Sequence, residues 1–255
     1  YRDYRAKWNG VSVTNIPSFP IHIDFELKDI CNQSCIMCPR NEEKHPDINY
    51  NINTKSVLPM RDYQKIIDEG ALNGLCSVNL GAFAEPLTQV KCFEMVEYAR
   101  SRGIIDTRII TNGLLLHRNI EAIFESGLTN LFVSLDAYNS ETYFKQRGPG
   151  FETIKTSLLE VLEEKKRRGS ILPIIRVSIV DMKTNHDEIT DFAKYWGPKV
   201  DFIDVQVFDD FNVNINSKFD MSTPKKWDCF SPFARLSVMS NGDVLPCCSF
   251  FGKNI

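Results

Sequence analysis

Apolar and polar residues alternate over Ile21–Lys28 (IHIDFELK), the period of a β-strand with two unlike faces. Beyond Arg61 the pattern switches repeatedly between helix and strand periods. Arg61–Glu69 predicts a helix ending at Gly70, and Leu75–Leu80 predicts a strand. Leu87–Arg102 predicts a helix closed by Gly103, since glycine takes the left-handed backbone of a helix C-terminus at no steric cost. Ile104–Thr111 reads as a strand running into an Asn112-Gly113 turn. Arg118–Ser126 is a helix stopped by Gly127, Asn130–Leu135 a strand, and Phe151–Arg168 a helix stopped by Gly169. Pro173–Val180 is a strand, Asp187–Trp196 a helix, and Val200–Val207 a strand. Strands interleaved with helices call for a parallel sheet with helical crossovers. Six such units fall short of an eight-fold closed barrel. The expected fold class is α/β, a partial (β/α)6 TIM-like barrel.

The flanks are less regular. Residues 1–20 are aromatic and polar and end in the Pro-flanked loop IPSFP. Pro39–Leu58 is rich in Asn and charge, and an irregular loop of that length is usually functional or mobile. Residues 209–226 read as a polar linker. Ala234–Leu245 then reads as a hairpin turning at Asn241-Gly242, because an Asn-Gly pair between alternating apolar runs favours that turn. The expected division is an N-terminal segment over 1–20, the barrel over 21–210, and a linker with a small C-terminal β-hairpin extension over 211–255. The chain starts at Tyr1 without Met and ends soon after Cys247-Cys248, so both ends are expected to be trimmed.

Composition narrows the function. A net charge of −3 gives no basic field for nucleic acid. No apolar run reaches membrane-spanning length and no signal peptide is evident. The charged run Glu163–Arg168 reads as the exposed end of a helix. A soluble, cytoplasmic protein is expected, with partners that are neither nucleic acid nor membrane.

The chemistry concentrates in CNQSCIMC, where Cys31, Cys35 and Cys38 come after the first strand at C-x3-C-x2-C spacing. Three thiolates this close can hold three irons of a 4Fe–4S cluster and leave the fourth iron open for chemistry. A structural zinc site normally takes four ligands, and His45 is the nearby fourth candidate. Disulfides are compatible with the even count of eight cysteines, but a long chain with clustered cysteines and no signal peptide suits a reducing compartment. The spacing resembles the motif of radical S-adenosylmethionine (radical SAM) enzymes, and the alternating pattern from about residue 20 to 210 is similar to that family's partial barrel.

The resemblance implies a cofactor site at the strand ends. Cys31, Cys35 and Cys38 would hold a 4Fe–4S cluster, with Met37 beside it, and the open iron would bind S-adenosylmethionine. One-electron cleavage would give methionine and a 5′-deoxyadenosyl radical that abstracts hydrogen from a C–H bond. The segment NLGAFAEPL stands where the family carries a Gly-Gly-Glu-Pro-like motif for the methionine amino group. Gly81, Phe83, Ala84 and Glu85 fall there, with Phe-Ala replacing two common glycines. Thr111-Asn112-Gly113 matches a recurring turn of the family, although an ordinary glycine turn reads equally well. By the same resemblance Ser134 and Asp136 would face the ribose or carboxylate of S-adenosylmethionine, and Arg147-Gly148 resembles a later Arg-Gly of many relatives. Arg176, Ser178, Asn185 and Val207 are weaker candidates, and Arg176 could pair with the cofactor carboxylate. Cys229-x12-Gly242-x4-Cys247 resembles the opening of a SPASM/Twitch extension, which would make Cys229 and Cys247 ligands of a possible auxiliary iron–sulfur cluster. His22, His117 and His186 read as structural or exposed, and Cys76 and Cys92 as small packed residues. The expected partners are a peptide or a sugar or aminocyclitol substrate, and an electron donor such as flavodoxin or ferredoxin. Only about twenty residues precede the barrel, which weakens a leader-peptide reading. The rival readings are a non-catalytic iron–sulfur carrier and a zinc-binding interaction module.

Overall fold

The computed structural model describes residues 2–41, 55–208 and 230–246. His45, the linker, Cys229, Cys247, Cys248 and most of the Pro39–Leu58 stretch lie outside the described residues. The elements run α1 (Arg2–Asn9), β1 (His22–Phe25), α2 (Met60–Asn73), β2 (Ser77–Leu80), α3 (Cys92–Ser101), β3 (Asp106–Thr111), α4 (Ile120–Glu125), β4 (Asn130–Ser134), α5 (Ser140–Arg147), α6 (Phe151–Arg167), β5 (Ile174–Asp181), α7 (Ile189–Trp196), β6 (Phe202–Val207), α8 (Ser231–Ala234), β7 (Arg235–Val238) and β8 (Val244–Leu245).

All six expected barrel strands are present, and each pairs in parallel with the next in sequence. The sheet order is β6-β5-β4-β3-β2-β1-β7-β8, so among the described residues the partial barrel stays open between β6 and β8. The C-terminal hairpin forms as its turn residues require, with β7 and β8 antiparallel. Its first strand does more than pair locally. β7 lies parallel to β1, with Asp24 opposite Ser237, and places β1 inside the sheet.

Several boundaries move for physical reasons. α2 runs through Gly70 to Asn73 and stops at Gly74, whose φ of 93° is left-handed. Gly70 serves packing instead, since a Cβ there would sit 2.5 Å from Leu75 Cδ2. The expected helix Leu87–Arg102 splits into a 3-10 turn at Pro86–Thr88 and α3. α1 and α5 are not evident in the hydrophobic pattern. α5 buries only Tyr143 and Gln146, too narrow a stripe to show as a period. It is set instead by its N-cap, where Asn139 Oδ1 accepts from Glu141 N and Thr142 N, both at 3.0 Å.

Alternation along the strands sends side chains to two unlike faces. Ile23, Phe25, Val78, Leu80, Ile109, Leu131, Val133, Ile175 and Val177 pack with Tyr63, Ile67, Val96, Leu158 and Trp196 of the helices in one hydrophobic core. Phe25 meets the Tyr63 ring edge-on at 4.9 Å. Each such side chain, fully buried, contributes about 1.5–3 kcal/mol. The opposite face is polar and still buried. Asp24 Oδ1 accepts from Asn79 Nδ2 at 2.8 Å, and its Oδ2 accepts from Arg235 Nε at 2.8 Å. His22 bridges Ser77 at 2.8 Å and Asp24 at 3.2 Å, a structural role. Asp106 accepts from Asn130, Thr129 and Ser77. A polar lumen inside an apolar helix layer leaves the strand ends as the natural place for a polar ligand.

Candidate functional site

The cysteine loop leaves the carboxyl end of β1 and is tied down on three sides. Ile36 N donates to Gln146 O of α5 at 2.9 Å, and Glu85 N donates to Ile30 O at 3.3 Å. Arg40, two residues past Cys38, reaches Asp29 at 2.5 Å and Glu26 at 3.2 Å with its side chain only 6 % exposed. Glu26 in turn accepts from Ser240 Oγ at 2.7 Å, which joins the loop to the C-terminal hairpin. Within the loop, Cys38 N donates to Cys35 O, and Asn41 Nδ2 donates to Ser34 O and Cys35 O.

Cys31 is exposed, Cys38 half-buried and Cys35 buried. Burial pushes the Cys35 and Cys38 thiols up, Cys35 to about 12, so both are neutral thiols near pH 7. Binding iron as thiolates therefore releases protons. Among the described residues no three His, Cys, Asp or Glu side chains converge tightly enough to hold one metal ion. A cubane makes a different demand, one thiolate for each of three separate irons. Three adjacent thiols on one anchored loop fit that donor set.

The other candidates divide into those brought to the loop and those held elsewhere. Asn112 arrives: its Nδ2 donates to Asn32 Oδ1 at 2.7 Å and lies 3.9 Å from Cys31 Sγ. Glu85 is 2 % exposed, and its oxygens accept from Thr111 Oγ1 at 2.6 Å, Asn112 N at 2.8 Å and Leu87 N at 3.1 Å. Burial raises its carboxyl above the usual range, and those three donors pull the other way. Glu85 thus clamps the ends of β2 and β3 together. The Thr111-Asn112-Gly113 turn is correspondingly more than a chain reversal, since each of its first two residues bonds to Glu85. Gly81 is required by close approach, as a Cβ there would lie 2.4 Å from Ile110 O. Ala84 is half-buried in the same turn.

Asp136 comes just after β4 with a left-handed φ of 58° and is 1 % exposed. Its Oδ1 accepts from Val180 N at 2.8 Å, and its Oδ2 takes Nε of Arg147 at 2.8 Å together with Nη2. Both oxygens are therefore occupied by protein donors. Asn185 supports the turn by donating to Asp136 O at 2.7 Å. Ser134 stands beside Ser178 in register at the end of β4 and is half-buried. Arg176 sits one inward-facing step below that rung, between the Phe132 and Phe202 rings and 3.6 Å from Asp204. Val207 is exposed at the end of β6. Met37 is buried in a second apolar cluster with Cys35, Phe83, Met182, Phe208 and Met239, which walls the cysteine loop with adaptable side chains. His117 and His186 are exposed, and Cys92 is buried inside α3.

Sequence reading passed over Glu26, Arg40, Gln33 and Gln146. The signal for Glu26 was present, because it continues the His22, Asp24 alternation on the polar face of β1. For Gln33 and Gln146 no periodic signal exists, since each acts through a loop or a helix end.

A family model described as the radical SAM superfamily matches residues 25–210. A GTP 3′,8-cyclase of Thermodesulfovibrio yellowstonii is 29% identical over 190 residues, covering 72% of this chain and 56% of that protein. A GTP 3′,8-cyclase of Alkaliphilus metalliredigens is 27% identical over 173 residues, covering 68% and 51%. The chain thus spans about half the length of these curated relatives. Streptococcus suis SuiB bound to its precursor peptide SuiA superposes with a TM-score of 0.74 at 19% identity, over 100% of this chain and 64% of that one. BtrN in complex with AdoMet and 2-DOIA superposes with a TM-score of 0.60 at 16% identity, over 92% and 76%. These two likenesses are of fold.

Proposed function

The chain belongs to the radical SAM superfamily, whose cofactors are a 4Fe–4S cluster and S-adenosylmethionine, and from that premise we propose that it is an enzyme acting on a substrate C–H bond. The observation that carries this reading is the C-x3-C-x2-C loop at the carboxyl end of β1, with the ends of β2, β3 and β4 gathered against it. When bound, the two cofactors supply one electron and a carbon-centred radical that takes a hydrogen atom from an unreactive position. Cys31, Cys35 and Cys38 hold the cluster. S-adenosylmethionine binds beside the loop at the strand ends that carry Gly81, Ala84, Asn112 and Ser134. Glu85 and Asp136 position that region, by clamping the β2 and β3 ends and by orienting Arg147. Met37, Phe83 and Met239 exclude water from one side of the loop.

The substrate is a small molecule or a peptide, and removing its hydrogen opens oxidation, epimerisation or cross-linking. SuiB is described with a precursor peptide and BtrN with 2-DOIA, which keeps both substrate kinds within this fold. A reduced flavodoxin or ferredoxin in the cytoplasm supplies the electron. The region around Cys229 and Cys247 belongs to a SPASM/Twitch segment with an auxiliary cluster. Among the described residues no helix is long and apolar enough to cross a membrane.

The test is anaerobic reconstitution with iron and sulfide, followed by dithionite and S-adenosylmethionine and an assay for 5′-deoxyadenosine. The parent forms the nucleoside, and the triple variant Cys31→Ala, Cys35→Ala, Cys38→Ala does not. A fully loaded parent that yields no nucleoside would favour the carrier reading instead.

A further inference from the structure

Arg147 is the last residue of α5, and its guanidinium is shared between a carboxylate and a thiol. Nε and Nη2 bond to Asp136 Oδ2, while Nη1 lies 3.4 Å from Gln33 Oε1 and 3.7 Å from Cys35 Sγ. The side chain is 11% exposed and that of Asp136 1%, so the charge acts with little screening by water. The group cannot easily swing away. Asp136 is pinned by Val180 N and Asn185, and the end of α5 is pinned to the cysteine loop by Gln146 O and Ile36 N. Gly148, with φ of 90°, ends the helix there and lets the chain turn off.

A neutral thiol is a weak acceptor and gains little from a guanidinium N–H. A thiolate bound to iron gains more, because the hydrogen bond is then charge-assisted. Hydrogen bonds to the sulfurs and net local charge are what tune an iron–sulfur potential. The cluster with its three thiolates becomes more negative by one unit on reduction, so a fixed positive charge at one sulfur stabilises the reduced state more than the oxidised one.

We propose that Arg147 sets the reduction potential of the cluster through the Cys35 sulfur, with Asp136 as the counter-charge that holds it in place and moderates it. This rests on the cluster assigned above. It makes Arg147 a positioning and electrostatic residue whose effect exists before any S-adenosylmethionine binds.

The experiment is a potentiometric titration of the reconstituted cluster, followed by electron paramagnetic resonance, with S-adenosylmethionine absent. Arg147→Gln should hold the parent's complement of iron and titrate at a lower midpoint. Arg147→Lys, which keeps the charge and loses the fork, should fall between the two. A Gln variant with full iron and the parent's midpoint overturns the proposal. Should the Gln variant load poorly, Asp136→Asn decides: removing the counter-charge raises the midpoint, and a midpoint at or below the parent's overturns the idea. A parent that assembles no cluster sinks both this and the functional reading. A parent that forms 5′-deoxyadenosine, with unmoved midpoints in loaded variants, sinks this inference alone.

Discussion

Asp24 illustrates what single residues contribute beneath the site. It is fully buried in the middle of β1, and its oxygens are divided among Asn79, His22 and Arg235. Burial alone would raise its carboxyl, but His22 and Arg235 outweigh that and hold it well below the usual carboxylate range. A depressed folded value means that the group stabilises the fold above its unfolded pKa of about 3.9 and loses that contribution as pH falls. Asp24→Asn removes the buried carboxylate that faces the partly exposed Arg235, and losing that charge-assisted bond costs about 1.5–3 kcal/mol near neutrality. Urea unfolding at a series of pH values should show the gap between parent and variant largest above about pH 5. The gap should narrow progressively below about pH 4. A gap of constant size down to about pH 3 would show that charge is not its source. At this scale the sequence displayed the residue types but not their partners. Glu85 could be placed at the end of the second strand from the sequence, but its partners Thr111, Asn112 and Leu87 could not, because the fold brings donors to it from sites up to 27 residues away.

At the scale of elements, helix α5 connects local sequence to the site. It is short and polar, and it exists because Asn139 caps it and because its far end bonds to the cysteine loop. Asn139→Ala removes the cap at a cost of about 1 kcal/mol, measurable as a lower urea midpoint. The same variant should speed amide exchange at Ile36, whose N–H bonds to Gln146 O at the end of α5. Lost stability with unchanged exchange at Ile36 would mean that α5 does not brace the loop. Elements with a wide apolar stripe, such as α6, were legible from period alone. α5 was not, because capping and one tertiary bond decide it. Gly70 shows the opposite error. Its sequence context resembled a stop, while the space under Leu75 made it a packing position.

For the molecule as a whole, the telling feature is that β1 is internal. It pairs with β2 on one side and β7 on the other, whereas among the described residues β6 is an edge strand. Backbone amides of Ile23–Phe25 should therefore rank among the slowest to exchange with deuterium, and those on the open side of β6 among the fastest. Equal rates in the two strands would contradict this sheet order. The consequence for function is that the strand feeding the cysteine loop is braced by a segment more than two hundred residues later in the chain. The sequence by itself determined the α/β class, the six parallel units and the cysteine triad, since these depend on local period, local turns and fixed spacing. Only the tertiary structure decided which acids are consumed internally, that Arg147 reaches Cys35, and that the C-terminal hairpin completes the sheet beside β1. Those outcomes depend on groups that meet across the fold, and distance along the chain carries no record of such meetings.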